Sequence, residues 1–206
     1  MTKNHNSRLE AFSDGVFAIA LTLLIIDIRI PSTENIDSTS HFWLALKHIL
    51  PSISAFLLSF FIILITWVNH HNCVRLVIRT SASFIYANGF MLLTVVIIPF
   101  PTSLLGQYIL TDHASPAVIL YNFNLALQAL SWVLFTSAAL KDGLGENEKA
   151  NKQIRDSRKY SFFAITLYSL CTIIAIWFPQ IAALITTVSW FFWLLYGINL
   201  KHVDMD

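Results

Sequence analysis

Six stretches of nearly unbroken apolar residues divide the chain, with polar segments between them. They predict helices over about 9–30, 42–69, 84–105, 116–140, 160–178 and 180–200. The first rises roughly 33 Å at 1.5 Å per residue, enough to cross a bilayer core. Pro31 ends it, and Ser32 to Ser40 reads as a polar loop. The second is long enough to begin at the membrane interface and then cross. Pro51 kinks it or marks where the spanning part begins. It ends in WVNHHN, Trp67 to Asn72, before a short connection that holds Arg75 and Arg79. Pro99 and Pro101 loosen the last turn of the third, and Pro179 sits at the turn between the fifth and sixth. Residues 141–159 are the most charged part of the chain and read as a solvated linker with helical ends.

The first stretch carries two stripes. On a helix at about 100° per residue, Ile19, Leu23 and Ile26 share one narrow face. Beside them run the small residues Ala11, Gly15, Ala18 and Thr22, a seam that lets helix backbones approach closely in a membrane. Several copies around an axis would make a pore with apolar constrictions. The plain alternative is lipid or core packing, the default for apolar residues on a membrane helix.

Composition supports a membrane protein. The chain has 206 residues, 56% hydrophobic and 12% charged, with mean hydropathy +0.64. A soluble domain is about a quarter charged. The expected fold is all-α, a single domain of six transmembrane helices with both termini on one side. Only Arg29 and Lys47, two of the 13 Lys and Arg residues, fall in the segments on the other side. The positive-inside rule then makes the termini cytoplasmic. No G-x-G-x-x-G, P-loop or Cys-x-x-Cys occurs, which argues against a nucleotide-driven pump. There is no convincing enzymatic constellation. Cys73 and Cys171 read as buried or interfacial thiols, not a disulfide framework. The first stretch lacks a signal-peptide cleavage site and is expected to stay in the mature protein. With no internal duplication, a symmetric pore requires several copies.

The predicted topology brings two polar motifs to one depth: Arg8, Ser13 and Asp14 of the first helix, and Trp67, His70, His71 and Asn72 of the second. Ionisable groups there are costly unless paired. Asp14 lies roughly 140° from Ile19 on the helical wheel, away from the apolar stripe, whereas Arg8 lies close to it. Ser13 and Asp14 are expected to bond the second or third helix within the subunit. Trp67 and His70, three apart on one face, are the favoured partners. Such clusters more often lock a fold than move ions. Adjacent histidines point about 100° apart, and no Cys or carboxylate stands four residues on, so no metal site is expected. Asp27 and Arg29, near the outer end, attract cations, pair with each other or are simply interfacial charges; the last is favoured.

RLEAFSD followed by GVFAIALTLLIIDI resembles the start of bacterial members of the TMEM175 family of potassium channels. The family's R-x-x-x-F-S-D is met by Arg8, Phe12, Ser13 and Asp14, and Trp67 with His70, His71 and Asn72 resembles its later motif. Length and six-span layout agree over essentially the whole chain. The resemblance implies a homotetramer with helix 1 lining the pore, potassium conduction without a TVGYG filter, and a narrow part at Ile19, Thr22 and Ile26. Leu23 fits the same stripe. It also implies that the motif Arg and Asp join a polar network that holds helix 1.

The expected function is therefore a leak-type potassium channel in a bacterial plasma membrane. It uses no cofactor beyond the permeant potassium ion, and its partners are its own copies and the lipid bilayer, with no nucleic acid. A narrow apolar ring that dewets would block ions, and small tilts of helix 1 would open it. The alternative is a proton-permeable channel, or a proton-coupled transporter using Asp14, His70 and His71 as a relay. Against the transporter stand the missing repeat and the lack of mid-membrane ionisable residues in helices 3 to 6.

Overall fold

A computed structural model of the chain describes residues 6–29, 31–33 and 36–202, without the side chains of Asp27 and of residues 196–202. The expected helix end at Ile30 and the Asp27–Arg29 pairing thus lie outside the described residues. The regular structure of the described residues is helical, apart from one isolated β-bridge between Val77 and Gly145, with turns and short loops between the helices. The described residues form eight α-helices: α1 (Ser7–Leu23), α2 (Thr39–His48), α3 (Leu50–Arg75), α4 (Ala82–Ile97), α5 (Pro99–Tyr108), α6 (Ala114–Lys141), α7 (Glu148–Ile174) and α8 (Pro179–His202).

Among the described residues, four segments are long and apolar enough to cross a membrane: Ser7–Ile26, Leu50–Arg75, Ala82–Tyr108 and Ala114–Lys141. A shorter apolar stretch is Pro179–Leu195.

Prolines set several boundaries. The apolar run expected as one helix over 42–69 is divided at Ile49. Pro51 lacks the N–H that would bond the Lys47 carbonyl, so α2 stops and α3 restarts with proline in its first turn. Ser38 caps α2, its side chain accepting from the His41 N–H at 3.2 Å. The run expected over 84–105 divides at Ile98, before Pro99 and Pro101. α1 tightens into a 3-10 turn over Leu24–Asp27, and Ile28 is already extended.

Two elements overrun their expected ends. α3 continues past Asn69 to Arg75, so WVNHHN lies inside the helix. Most of the 141–159 segment is also helix: α7 starts at Glu148, capped by Asn147 Oδ1 accepting from the Ala150 N–H at 2.9 Å. The true connection is 142–147. Gly143 takes φ +60°, the left-handed turn that favours glycine. The Leu144 N–H then bonds the Ala139 carbonyl at 3.0 Å and the Gly143 N–H the Leu140 carbonyl at 3.3 Å, closing α6 with a Schellman motif. The same loop joins the α3–α4 connection, with Ile78 N–H to Leu144 O and Glu146 N–H to Leu76 O both at 3.0 Å.

α6 is the central post, packed against α4, α5, α7 and α8, while α1 packs on α3 and α4. α5 approaches α3 closely at Gly106, where an added Cβ would come 2.6 Å from Ser52 Cα. One core cluster includes Phe17, Ile63, Leu92, Val118 and Tyr168. The second, near the charged end, includes Val74, Phe84, Met91, Phe135 and Ile154.

Candidate functional site: the first helix and its polar anchor

α1 has two unlike faces. Ser13, Phe17, Ala20 and Leu24 recur at helical spacing and are buried against the rest of the chain. The opposite face is bare: Phe12 is 63% exposed, Ile19 59%, Leu23 39% and Ile26 72%. Ala11, Gly15, Ala18 and Thr22 are exposed beside them, and a Cβ added at Gly15 would meet nothing within 4 Å. Both stripes read from the sequence therefore lie on surface that the chain itself does not cover. The Thr22 hydroxyl donates to the Ile19 carbonyl at 2.9 Å, so its oxygen turns lone pairs outward.

The covered face is held by side-chain hydrogen bonds. The Trp67 indole N–H of α3 donates to Asp14 Oδ1 at 2.8 Å. Asn88 of α4 joins the other two helices. Its Nδ2 donates to Ser13 Oγ at 3.1 Å, and its Oδ1 lies 2.7 Å from His70 Nε2. Because the amide nitrogen is spent on Ser13, Oδ1 must accept, and His70 carries its proton on Nε2. Ser13 in turn donates to the Leu9 carbonyl at 2.8 Å. The donors run one way, from His70 to Asn88 to Ser13 to Leu9.

The His70 ring is walled by Phe17, at 5.4 Å between centroids, and by Phe135, stacked at 5.5 Å. Its Nδ1 is buried without a partner. A charged imidazolium would be costly there, so the neutral form fits the site.

Ser13, Asp14, Trp67 and His70 are thus brought together. His71 points elsewhere, its Nδ1 lying 3.0 Å from Glu10 Oε1, close enough for an ion pair but out of line for a hydrogen bond. Arg8 and Phe12 are exposed, and neither makes a polar side-chain contact among the described residues. Asn72 turns onto a cavity on another face of α3. Sequence reasoning missed Glu10 and Asn88. The signal for Asn88 was there: a lone amide in the apolar run ASFIYANGFMLL, where an unpaired polar group is expensive.

Comparison with known proteins gives this geometry a family. Residues 8–99 match the sequence profile of the endosomal/lysosomal potassium channel TMEM175. A Chamaesiphon minutus protein named a potassium channel is 37% identical over 193 residues, 85% of this chain and 94% of that protein. The chain belongs to the TMEM175 family. The crystal structure of a lysosomal potassium-selective channel TMEM175 homologue from Chamaesiphon minutus superposes with a TM-score of 0.85 at 32% identity, covering 95% of this chain and 99% of that one. A chicken TMEM175, named an endosomal/lysosomal proton channel, is 38% identical over 79 residues, 36% of this chain and 16% of that protein.

TMEM175 membership makes this an ion-channel chain rather than an enzyme. The profile match spans α1 to α4 and so takes in every donor and acceptor of the anchor, from Leu9 to Asn88.

Proposed function

We propose that four copies of this chain assemble as a leak-type potassium channel in a bacterial plasma membrane, with α1 of each copy lining a central pore. Each subunit crosses the membrane six times, α7 and α8 adding the last two crossings, and both termini are cytoplasmic. The observation that carries this reading is the bare face of α1. A helix of one subunit leaves Ile19, Leu23 and Ile26 uncovered while its opposite face is fixed by hydrogen bonds.

Ile19, Leu23 and Ile26 form the apolar constriction. Where the ring is narrow it dewets and blocks; a slightly wider ring stays wet and conducts. Thr22 lies within the same stretch. With its proton spent on the Ile19 carbonyl, its oxygen can accept a cation in place of a lost water. Potassium holds its water less tightly than sodium and loses less at such a ring.

Currents through purified protein in planar bilayers test this. Ile19→Asn is expected to raise conductance by wetting the constriction, and Thr22→Ala to lower the potassium-to-sodium permeability ratio. Unchanged currents in Ile19→Asn would place the pore elsewhere.

Proton permeation is a second reading, favoured by the name of the chicken relative. The anchor gives it little path. Asp14, His70 and His71 each have a different partner, and the donor chain from His70 ends on a backbone carbonyl that passes no proton on. Reversal potentials that follow a pH gradient rather than potassium would favour it.

A further inference from the structure

On another face of α3, away from α1, lies a second feature, half open to its surroundings. α3 packs on α5 and α8 and reaches α6 through side chains such as Ser59, 3.0 Å from the Tyr121 hydroxyl, and α8 packs against α3, α6 and α7. The gap between them is a cavity of about 150 Å³. Its walls come from α3, α6, α7 and α8, and no charged side chain is among them. Three tryptophans and two tyrosines line it beside Ile62, Leu125 and Ala164. Gln128 Nε2 donates across the gap to Thr66 Oγ1 at 2.9 Å.

Two wall residues have unused polar groups. Trp190 is 6% exposed, and its indole N–H has no acceptor. Asn69 Oδ1 is buried and has no donor. Native structures rarely leave such groups unsatisfied. Size narrows what could serve them, since a dry apolar cavity of about 150 Å³ takes up benzene. Here the walls are aromatic but the unmet needs are polar: one donor seeks an acceptor and one acceptor seeks a donor. A hydroxyl group supplies both. The absence of charge disfavours an ion.

We propose that this cavity binds a neutral, single-ring molecule carrying one hydroxyl, a phenol or aromatic alcohol, with the ring among the tryptophans and the hydroxyl between Asn69 and Trp190. The site lies within one subunit, so it does not depend on how subunits assemble or where the pore runs.

The test uses the full chain in detergent, with benzyl alcohol as probe and toluene as its hydroxyl-free control. Thermal unfolding midpoints are read against probe concentration. Benzyl alcohol is expected to raise the midpoint saturably, with an apparent affinity about tenfold better than toluene, the worth of one good hydrogen bond. Trp190→Phe keeps the ring and removes the donor, and should bring the two probes together. Ala164→Leu, which fills space at the wall, should abolish the saturable response to both. Should Ala164→Leu not fold, calorimetric titration of the native chain against Trp190→Phe decides alone. A response that never saturates, that is equal for both probes in the native chain, or that keeps its alcohol preference in Trp190→Phe overturns the proposal.

Discussion

Asn88→Leu is the sharpest probe of the anchor, because it removes the amide and keeps the branched four-atom outline of the side chain. The structure says what is lost. His70 Nε2–H, fully buried between Phe17 and Phe135, loses its acceptor, and its Nδ1 has no partner to begin with. Ser13 loses a donor but keeps its own bond to Leu9. An orphaned buried donor costs about 1–3 kcal/mol in proteins generally. Interhelical hydrogen bonds in membranes average about 0.6 kcal/mol and reach about 1.7, because the unfolded state in the membrane or micelle also finds partners. The expected loss is therefore about 2 kcal/mol, read by denaturant unfolding in detergent micelles. A second substitution separates this account from simple loss of packing. His70→Phe added to Asn88→Leu removes the stranded donor and puts a ring between two rings. Replacing both partners by apolar groups of similar shape is close to neutral, so the double variant should regain at least about 1 kcal/mol over Asn88→Leu. A double variant no more stable than the single one, or a single variant that costs under about 0.5 kcal/mol, would refute the reasoning.

Three further outcomes follow from the backbone and the loop ends. Gly143→Ala puts a Cβ at φ +60° and should cost about 1–2 kcal/mol by the same unfolding assay, with Gly143→Asn costing less. Gly106→Ala drives a Cβ to 2.6 Å from Ser52 Cα, backbone that cannot rotate away, and should cost about 1–3 kcal/mol; a neutral result would mean that α3 and α5 are not so close. Asp142 accepts from Ser81 at 2.5 Å and from Ser83, and these bonds hold its carboxyl below the ordinary value of 3.8. Its folded value is the lower one, so the stabilisation is present in full above 3.8 and is lost as pH falls through the folded value. The stability gap between the native chain and Asp142→Asn should shrink on acidification below 3.8; a gap that widens would contradict the sign.

The apolar runs were legible because a membrane span must be nearly uninterrupted, and Pro51 and Pro99 punctuated two of them where the chain does break. Ile19 and Leu23 were legible on one stripe because helical period places them, and Ile26, in the 3-10 turn beyond α1, is uncovered with them. Neighbours on a helix point about 100° apart, so His70 meets Asn88 while His71 meets Glu10 and Asn72 faces the cavity. Asn88 was missed because it is neutral and stands alone in an apolar run. The helical start of α7 was hidden because hydropathy sees charge, not helix propensity. Glu148 and Arg155, paired at 2.5 Å, lie on the same solvated helix.

In lipid no hydrophobic force presses one apolar helix on another, since acyl chains are as apolar as leucine. α1 is apolar on both faces, so burial alone barely distinguishes Phe17 inward from Ile19 inward. Polar groups make the distinction. Ser13 and Asp14 stand on the covered side, where Asn88 and Trp67 from the neighbouring helices meet them. Turning α1 by one residue, about 100°, would break both bonds and strand a carboxylate, a cost well above any difference between two greasy faces. The rotation of α1 is thus set by hydrogen bonds at one end rather than by packing along its length. On the proposed reading this is what a pore helix requires. A lining helix has no core on its pore side, and four copies must present the same isoleucines to one axis. A latch confined to the charged end fixes that rotation and leaves the apolar stretch beyond it free to tilt.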